Sequence, residues 1–148
     1  AAGEVVLVST DKGFAQLLAL DSDRLLLWDH FARQEIDSDF VLRRFGVQSA
    51  QLCDYLALCG DTTNHIAGVA GIGAKTAAKL LAEYANLETI FANMSALPPK
   101  QAAQLDGRWD QVVQARRLVR LRTDLELDCS LKDFRLGEVI AAPITRSS

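Results

Sequence analysis

The stretch of this sequence richest in chemistry is Gly60-Asp61-Thr62-Thr63-Asn64-His65-Ile66-Ala67-Gly68-Val69-Ala70-Gly71-Ile72-Gly73-Ala74-Lys75-Thr76-Ala77. Gly68, Gly71 and Gly73 lead into a helical pattern. Glycine permits positive φ and lets a ligand approach the backbone closely. The first turn of a helix adds unpaired N–H groups at the positive end of its dipole. Lys75 and Lys79 stand four residues apart and so share one face beside that turn. The combination describes a seat for phosphate. Two familiar seats do not fit. A P-loop reads GxxxxGK[ST], whereas Ala74 here separates Gly73 from Lys75, and the loop follows polar residues rather than a buried strand. A dinucleotide fingerprint fails on glycine spacing and on the same missing strand. A helix, a Gly-Ile-Gly hairpin and a second helix suit sequence-independent docking on a nucleic-acid backbone. The competing reading is a tight helix–helix turn whose glycines serve packing.

Carboxylates flank this loop. Asp11 follows an apolar run at Val8-Ser9-Thr10-Asp11-Lys12, and Asp61 opens the loop itself. Each can hold a divalent metal ion, and each can equally cap a helix. His30 and His65 stand alone and receive no catalytic role. Cys53, Cys59 and Cys129 form an odd set without CxxC spacing, which argues against a disulfide framework or zinc site and for a reducing cytoplasm. Cys53 and Cys59 read as small core residues.

The elements that must position these groups follow from periodicity. Val5-Val6-Leu7-Val8 reads as a buried strand, and Phe14, Leu17 and Leu18 recur at helical spacing after it. Leu25-Leu26-Leu27-Trp28 is a second strand, with a third over Phe31 to Ile36. Ser38 or Asp39 caps a helix carrying Phe40, Val41 and Phe45 that Gly46 stops. Ser49 to Cys59 forms another, with Leu52, Tyr55, Leu56 and Cys59 on one face. Strand signals vanish after Gly60. Helices are expected over Ala74 to Tyr84, Leu87 to Asn93 and Arg108 to Leu121, the last with Trp109, Val112, Val113, Leu118 and Leu121 inward. Pro98-Pro99 marks a turn, and Pro143 to Ser148 reads as a frayed tail.

The 148 residues suit one ordinary domain, with 49% hydrophobic and 24% charged side chains, which excludes a disordered or collagen-like chain. No apolar run approaches a membrane span. Met94 is the only methionine, and Ala1-Ala2-Gly3 opens directly into an apolar run, so the chain is expected to be part of a longer protein. Formal net charge is −3, but residues 61–123 hold 8 basic against 5 acidic side chains. The overall acidity therefore conceals a basic centre, which favours an anionic partner.

The combined pattern is specific. Gly60-Asp61, then Gly68-Val69-x-Gly71-Ile72-Gly73-x-Lys75-Thr76-Ala77 and Leu80-Leu81, resembles the helix–three-turn–helix region of 5′-3′ exonucleases and flap endonucleases. Val8-Ser9-Thr10-Asp11-Lys12 with Leu17-Leu18 resembles the strand end that carries metal-binding aspartates in that family. Leu121-Arg122-Thr123-Asp124-Leu125 resembles its R/Q-T-D-L segment. The resemblance spans roughly residues 5–136 and implies an α/β fold. Residues 1–48 would be the later part of a PIN-like nuclease domain, and residues 49–148 a mainly helical region with the helix–three-turn–helix.

The implied function is Mg²⁺-dependent cleavage of flapped or branched DNA by a monomeric enzyme of the bacterial cytoplasm. Asp11 and Asp61 would be Mg²⁺ ligands, and Gly71, Ile72, Gly73, Ala74, Lys75, Thr76 and Lys79 the DNA contact. K⁺ would sit on the backbone carbonyls of Leu58, Cys59, Ala67, Val69 and Ile72, which the resemblance alone implies. Two family carboxylates are replaced, by Gly13 and Asn64, as in the Xni-type (exonuclease IX) branch of gamma-proteobacteria. That loss leaves a second reading open, a structure-specific DNA-binding module without catalysis. A metabolite-binding α/β domain is a third.

Overall fold

A computed structural model of the protein describes residues 3–137. The expected frayed tail over Pro143 to Ser148 lies outside the described residues. A small sheet comes first. Strand β1 (Val5–Val8) pairs in parallel with β2 (Leu25–Asp29), with Val5 opposite Leu25 and Val8 opposite Trp28. A two-residue β3 (Gln34–Glu35) then pairs antiparallel with the end of β2. The expected third strand is therefore shorter than Phe31 to Ile36, because the backbone turns at Arg33 with φ of 52°. Asp29 closes this turn by accepting hydrogen bonds from the N–H groups of Phe31 and Ala32 at 3.0 and 2.9 Å. Phe31 stays exposed.

β1 corrects the expectation of a buried strand. Val5, Val6 and Val8 are exposed, since β1 is the edge of the sheet and, among the described residues, no strand lies beyond it. Its crossover to β2 is a 3-10 helix over Lys12–Ala19 rather than an α-helix, seating Ala15 and Leu18 in the core.

Helix α1 (Ser38–Phe45) is capped by Asp37, one residue earlier than expected, whose carboxylate accepts from the N–H of Phe40. Gly46 ends it in the left-handed region at φ of 73°. A 3-10 turn at Ser49–Gln51 then feeds α2 (Leu52–Cys59), dividing the single expected helix in two. Helix α3 (Ala74–Tyr84) begins and ends where periodicity placed it, and α4 (Leu87–Ala92) follows. Pro98-Pro99 is more than a turn. Pro99 opens helix α5 (Pro99–Leu105), a first-turn position where a missing N–H costs nothing. Helix α6 (Trp109–Val119) buries Val112, Ala115 and Val119, while Trp109 and Leu118 are exposed against expectation. Residues 112, 115 and 119 share the inner face, and Leu118 lies about a quarter-turn away from it.

Helix α2 is the axis of the molecule, packing against both α3 and α6. Leu52 and Leu58 are fully buried, in one continuous core with Leu27, Leu81, Leu87, Leu105 and Val112. Each such side chain stabilises by about 1.5–3 kcal/mol. A polar clamp fixes the stack. The buried Asp54 carboxylate accepts from the N–H of Leu87 at 3.1 Å and pairs with Arg116 at 3.3 Å. Arg116 also grips Glu88 at 2.6 Å, which holds the Glu88 carboxyl below its ordinary range. One arginine of α6 thereby ties α2 to the first turn of α4.

Replacing Asp54→Ala removes the buried partner of both Arg116 and the Leu87 N–H. Unfolding in urea is expected to show a loss of about 2 kcal/mol, with an unchanged dependence on denaturant.

Candidate nucleic-acid interface

The hairpin between α2 and α3 is built by backbone meeting backbone. Gly60 ends α2 with φ of 87°, and its N–H donates to the Leu56 carbonyl. Asp61 and Ile66 exchange two hydrogen bonds of 2.9 Å across the loop, and the Val69 N–H then returns to the Leu58 carbonyl at 2.8 Å. Gly68 lies so close to the end of α2 that a Cβ there would fall 2.4 Å from Cys59 C and Gly60 N. The packing role of glycine is real at this position.

Gly73 differs. Its φ of −89° suits any residue, and no heavy atom lies within 4 Å of the place its Cβ would occupy. Neither strain nor crowding asks for glycine there. Gly73 is the N-cap of α3 and offers no side-chain cap, and the first intrahelical bond runs from Ala77 N–H to the Gly73 carbonyl. The N–H groups of Ala74, Lys75 and Thr76 consequently receive no partner from the described residues. Gly71, Gly73, Ala74, Lys75 and Lys79 are exposed here, while Ile72 and Ala77 anchor the turn in the core. Open backbone donors, a positive dipole end and two ammonium groups meet on one surface.

The same hairpin gathers most of the carbonyls expected to hold K⁺. Leu58 and Cys59 lie against residues 66–69, and Val69 stands beside Ile72 through a 3.0 Å bond from the Ile72 N–H. The carbonyls of Leu58 and Val69 each accept one hydrogen bond, so each keeps a lone pair for a cation.

Asp11 and Asp61 come together as walls of one cleft of about 380 Å³, shared with Thr10, Arg44, Tyr55, Thr62 and Ala74. The cleft thus reaches the N-terminus of α3. Asp11 is the N-cap of the 3-10 helix, its Oδ1 accepting from the Gly13 N–H at 2.8 Å and its Oδ2 receiving no donor among the described residues. Capping and metal binding are compatible uses of its two oxygens. Asp61 is instead turned on its own loop, accepting from the Thr63 N–H at 3.0 Å and from the Asn64 amide at 2.6 Å. Asn64 therefore binds the carboxylate where an aspartate would repel it. Among the described residues no group of three His, Cys, Asp or Glu side chains converges on a metal position. Two carboxylates on one cleft are too few for an all-protein cage, so a divalent ion there would keep most of its water.

Lys12 lines the cleft as well, and Arg44 forms no ion pair among the described residues. Lys12 pairs with buried Asp29, whose carboxyl is held below its usual range first by the Ala32 N–H and then by Lys12. Burial pushes the Tyr55 hydroxyl up to about 12 and raises the Cys53 and Cys59 thiols, so none of these supplies a ready nucleophile. Cys53 and Cys59 are half-buried rather than fully enclosed, and Cys129 is exposed. Arg44 and Tyr55 carry no sequence signal for this cleft, because no local spacing links α1 and α2 to Asp11.

The sequence family described as 5′-3′ exonuclease, C-terminal SAM fold, matches residues 47–141. This chain belongs to that family. It is 43% identical over 136 residues to "Flap endonuclease Xni" of Shewanella baltica strain OS195, covering 92% of this chain and 51% of the relative. The namesake in Shewanella sp. strain MR-4 is likewise 43% identical, over 137 residues. The chain spans about half the length of the curated relatives it matches. Among solved structures, the zinc-bound 5′-exonuclease of T5 superposes with a TM-score of 0.69 at 27% identity, over 78% of this chain and 42% of that one. The flap endonuclease of bacteriophage T5, in a complex with DNA and metal ions, matches with the same score and identity. The helix-rich α/β architecture expected from the sequence is shared with these proteins. No described helix is long and apolar enough to cross a membrane.

The two glycines predict opposite behaviour. Gly68→Ala drives a methyl group into backbone and is expected to destabilise the chain by about 2 kcal/mol or more in thermal or urea unfolding. Gly73→Ala is expected to cost less than about 1 kcal/mol while weakening DNA binding in a fluorescence anisotropy titration.

Proposed function

We propose that this chain carries the DNA-docking region of a structure-specific 5′ nuclease that hydrolyses phosphodiesters in flapped or branched duplex DNA. The observation that carries the reading is Gly73. A glycine that neither φ nor packing requires stands at an uncapped helix N-terminus, beside Lys75 and Lys79. Its bare backbone gives a phosphate room to reach the N–H groups of Ala74, Lys75 and Thr76. Gly71 and Ile72 shape the turn, and Thr76 and Lys79 complete the contact. The DNA is gripped by its backbone, so base sequence matters little and the shape of the junction decides.

Mg²⁺ is the proposed catalytic ion, with Asp11 as its firmer ligand and Asp61 as a weaker one. When bound, the ion would activate water and neutralise charge on the phosphate under attack. The carbonyls of Leu58, Cys59, Ala67, Val69 and Ile72 would hold K⁺, whose positive charge would favour a DNA phosphate at the hairpin. Residues 1–48 are assigned to a PIN-like nuclease domain and residues 49–148 to the helical DNA-binding region. The apolar faces of β1 support that assignment, since parallel strands are normally buried on both sides. The protein would act as a monomer in the bacterial cytoplasm.

A second reading, a DNA-binding module without catalysis, is favoured by Gly13 and by the Asn64 amide that occupies Asp61. Cleavage of a 5′-flap duplex with Mg²⁺ by the complete product of the gene separates the two. Asp11→Asn is expected to lower that cleavage at least roughly a hundredfold, the effect of about 3 kcal/mol of transition-state stabilisation. Binding without cleavage would instead establish the non-catalytic module.

Docking has its own test. Lys75→Ala with Lys79→Ala should weaken flap binding and reduce the slope of log affinity against log salt by about 2, one unit for each lost phosphate contact. An unaltered slope would remove the hairpin from the interface.

A further inference from the structure

The hairpin does not account for the basic centre of the sequence. Of the 8 basic side chains between residues 61 and 123, only Lys75 and Lys79 stand on α3, while Arg116, Arg117, Arg120 and Arg122 crowd into seven positions at the far end of α6. Arg116 is committed to Asp54 and Glu88. The other three line one open cleft of about 540 Å³ together with Leu121, Thr123 and Asp124.

We propose that this arginine cleft is a second phosphate-binding patch, holding the sugar–phosphate backbone of the same DNA that the hairpin grips. The inference rests on the DNA-docking reading of the hairpin. Three observations support it. Arg117 and Arg120 are exposed and, among the described residues, form no ion pair. Helix-dipole complementarity explains a basic residue in the last turn of α6, but Arg122 lies beyond the helix and still enters the same cleft. Asp124 offsets only part of the charge. It meets Arg122 through a single contact of 3.4 Å from Nε, leaving the outer guanidinium N–H groups open. Like charges gathered without partners cost free energy, and an anion crossing the cleft removes that cost.

Helix α6 sets the distance between the two patches. At its first turn Gln111 donates to the Gly68 carbonyl of the hairpin at 3.1 Å. Arg120 stands nine residues further on, roughly 13 Å away at 1.5 Å per residue. That rise along the helix axis is the length of a few nucleotides of backbone. Guanidinium forks suit this role, because they take phosphate oxygens in pairs.

The test uses the full chain and a fluorescently labelled 5′-flap duplex in the absence of divalent metal, titrated at several salt concentrations. Replacing Arg117→Ala, Arg120→Ala and Arg122→Ala together should weaken binding at least tenfold at low salt. The slope of log affinity against log salt should fall by about 2 to 3. The corresponding triple change to lysine should keep most of the slope, while far-UV circular dichroism and melting temperature stay close to those of the unaltered chain. An alanine variant that keeps the full slope overturns the proposal and leaves the cleft to an acidic protein surface. Lys75→Ala with Lys79→Ala, measured alongside, separates the two ideas. A loss of slope confined to the lysine pair retains the hairpin and rejects the cleft, and a loss confined to the arginines does the reverse. An unaltered chain that binds no DNA at low salt overturns both.

Discussion

Everything at the candidate interface depends on how closely the hairpin approaches the end of helix α2. Gly60 and Gly68 bring two backbone segments together with no side chain between them, and the Val69 N–H closes the contact on the Leu58 carbonyl. From that seam, Ile72 and Ala77 drop into the core and set the direction of α3. The open N-terminus of α3 is thereby held against a rigid support rather than carried on a free loop. Donors that point the same way before a ligand arrives need little ordering when it binds, which is how a short motif can hold a polyanion.

The clamp around Asp54 stabilises the same arrangement from the opposite side. It joins α2, α4 and α6 through a single buried carboxylate and Arg116. Because α6 also touches Gly68 through Gln111, the hairpin and the arginine cleft belong to one packed unit. The cleft that holds Asp11 and Asp61 is looser in design. Asp11 divides its oxygens between capping and solvent, and Asp61 is held by Asn64. Of the two carboxylates, Asp11 therefore has the freer oxygen to offer a cation.

Much of the helical half was legible from spacing alone. Helix α3 has the bounds read from Ala74 and Tyr84, because its apolar residues repeat at 3.6 with nothing to interrupt them. The departures have separate causes. Pro98-Pro99 looks like a turn, yet proline is at home in the first turn of a helix. Leu118 counts as apolar in any periodic pattern, but the inner face of α6 was filled by Val112, Ala115 and Val119. β1 has the composition of a buried strand, and burial depends on neighbours rather than composition. Gly68 and Gly73 are identical letters with different duties, which only their surroundings distinguish.

The sequence by itself determined the order of elements, the glycine hairpin with its two lysines, and the positions of Asp11 and Asp61 at the ends of their apolar runs, with Gly13 and Asn64 close by. Those are local properties, set by residue type and by spacing within a few turns. Tertiary structure alone decided that Asp11 and Asp61 face a common cleft, that Arg44 and Tyr55 join them, and that Arg117, Arg120 and Arg122 share another. Such juxtapositions arise from packing α2 against its neighbours and joining segments tens of residues apart. No short-range pattern records the contacts that such packing creates.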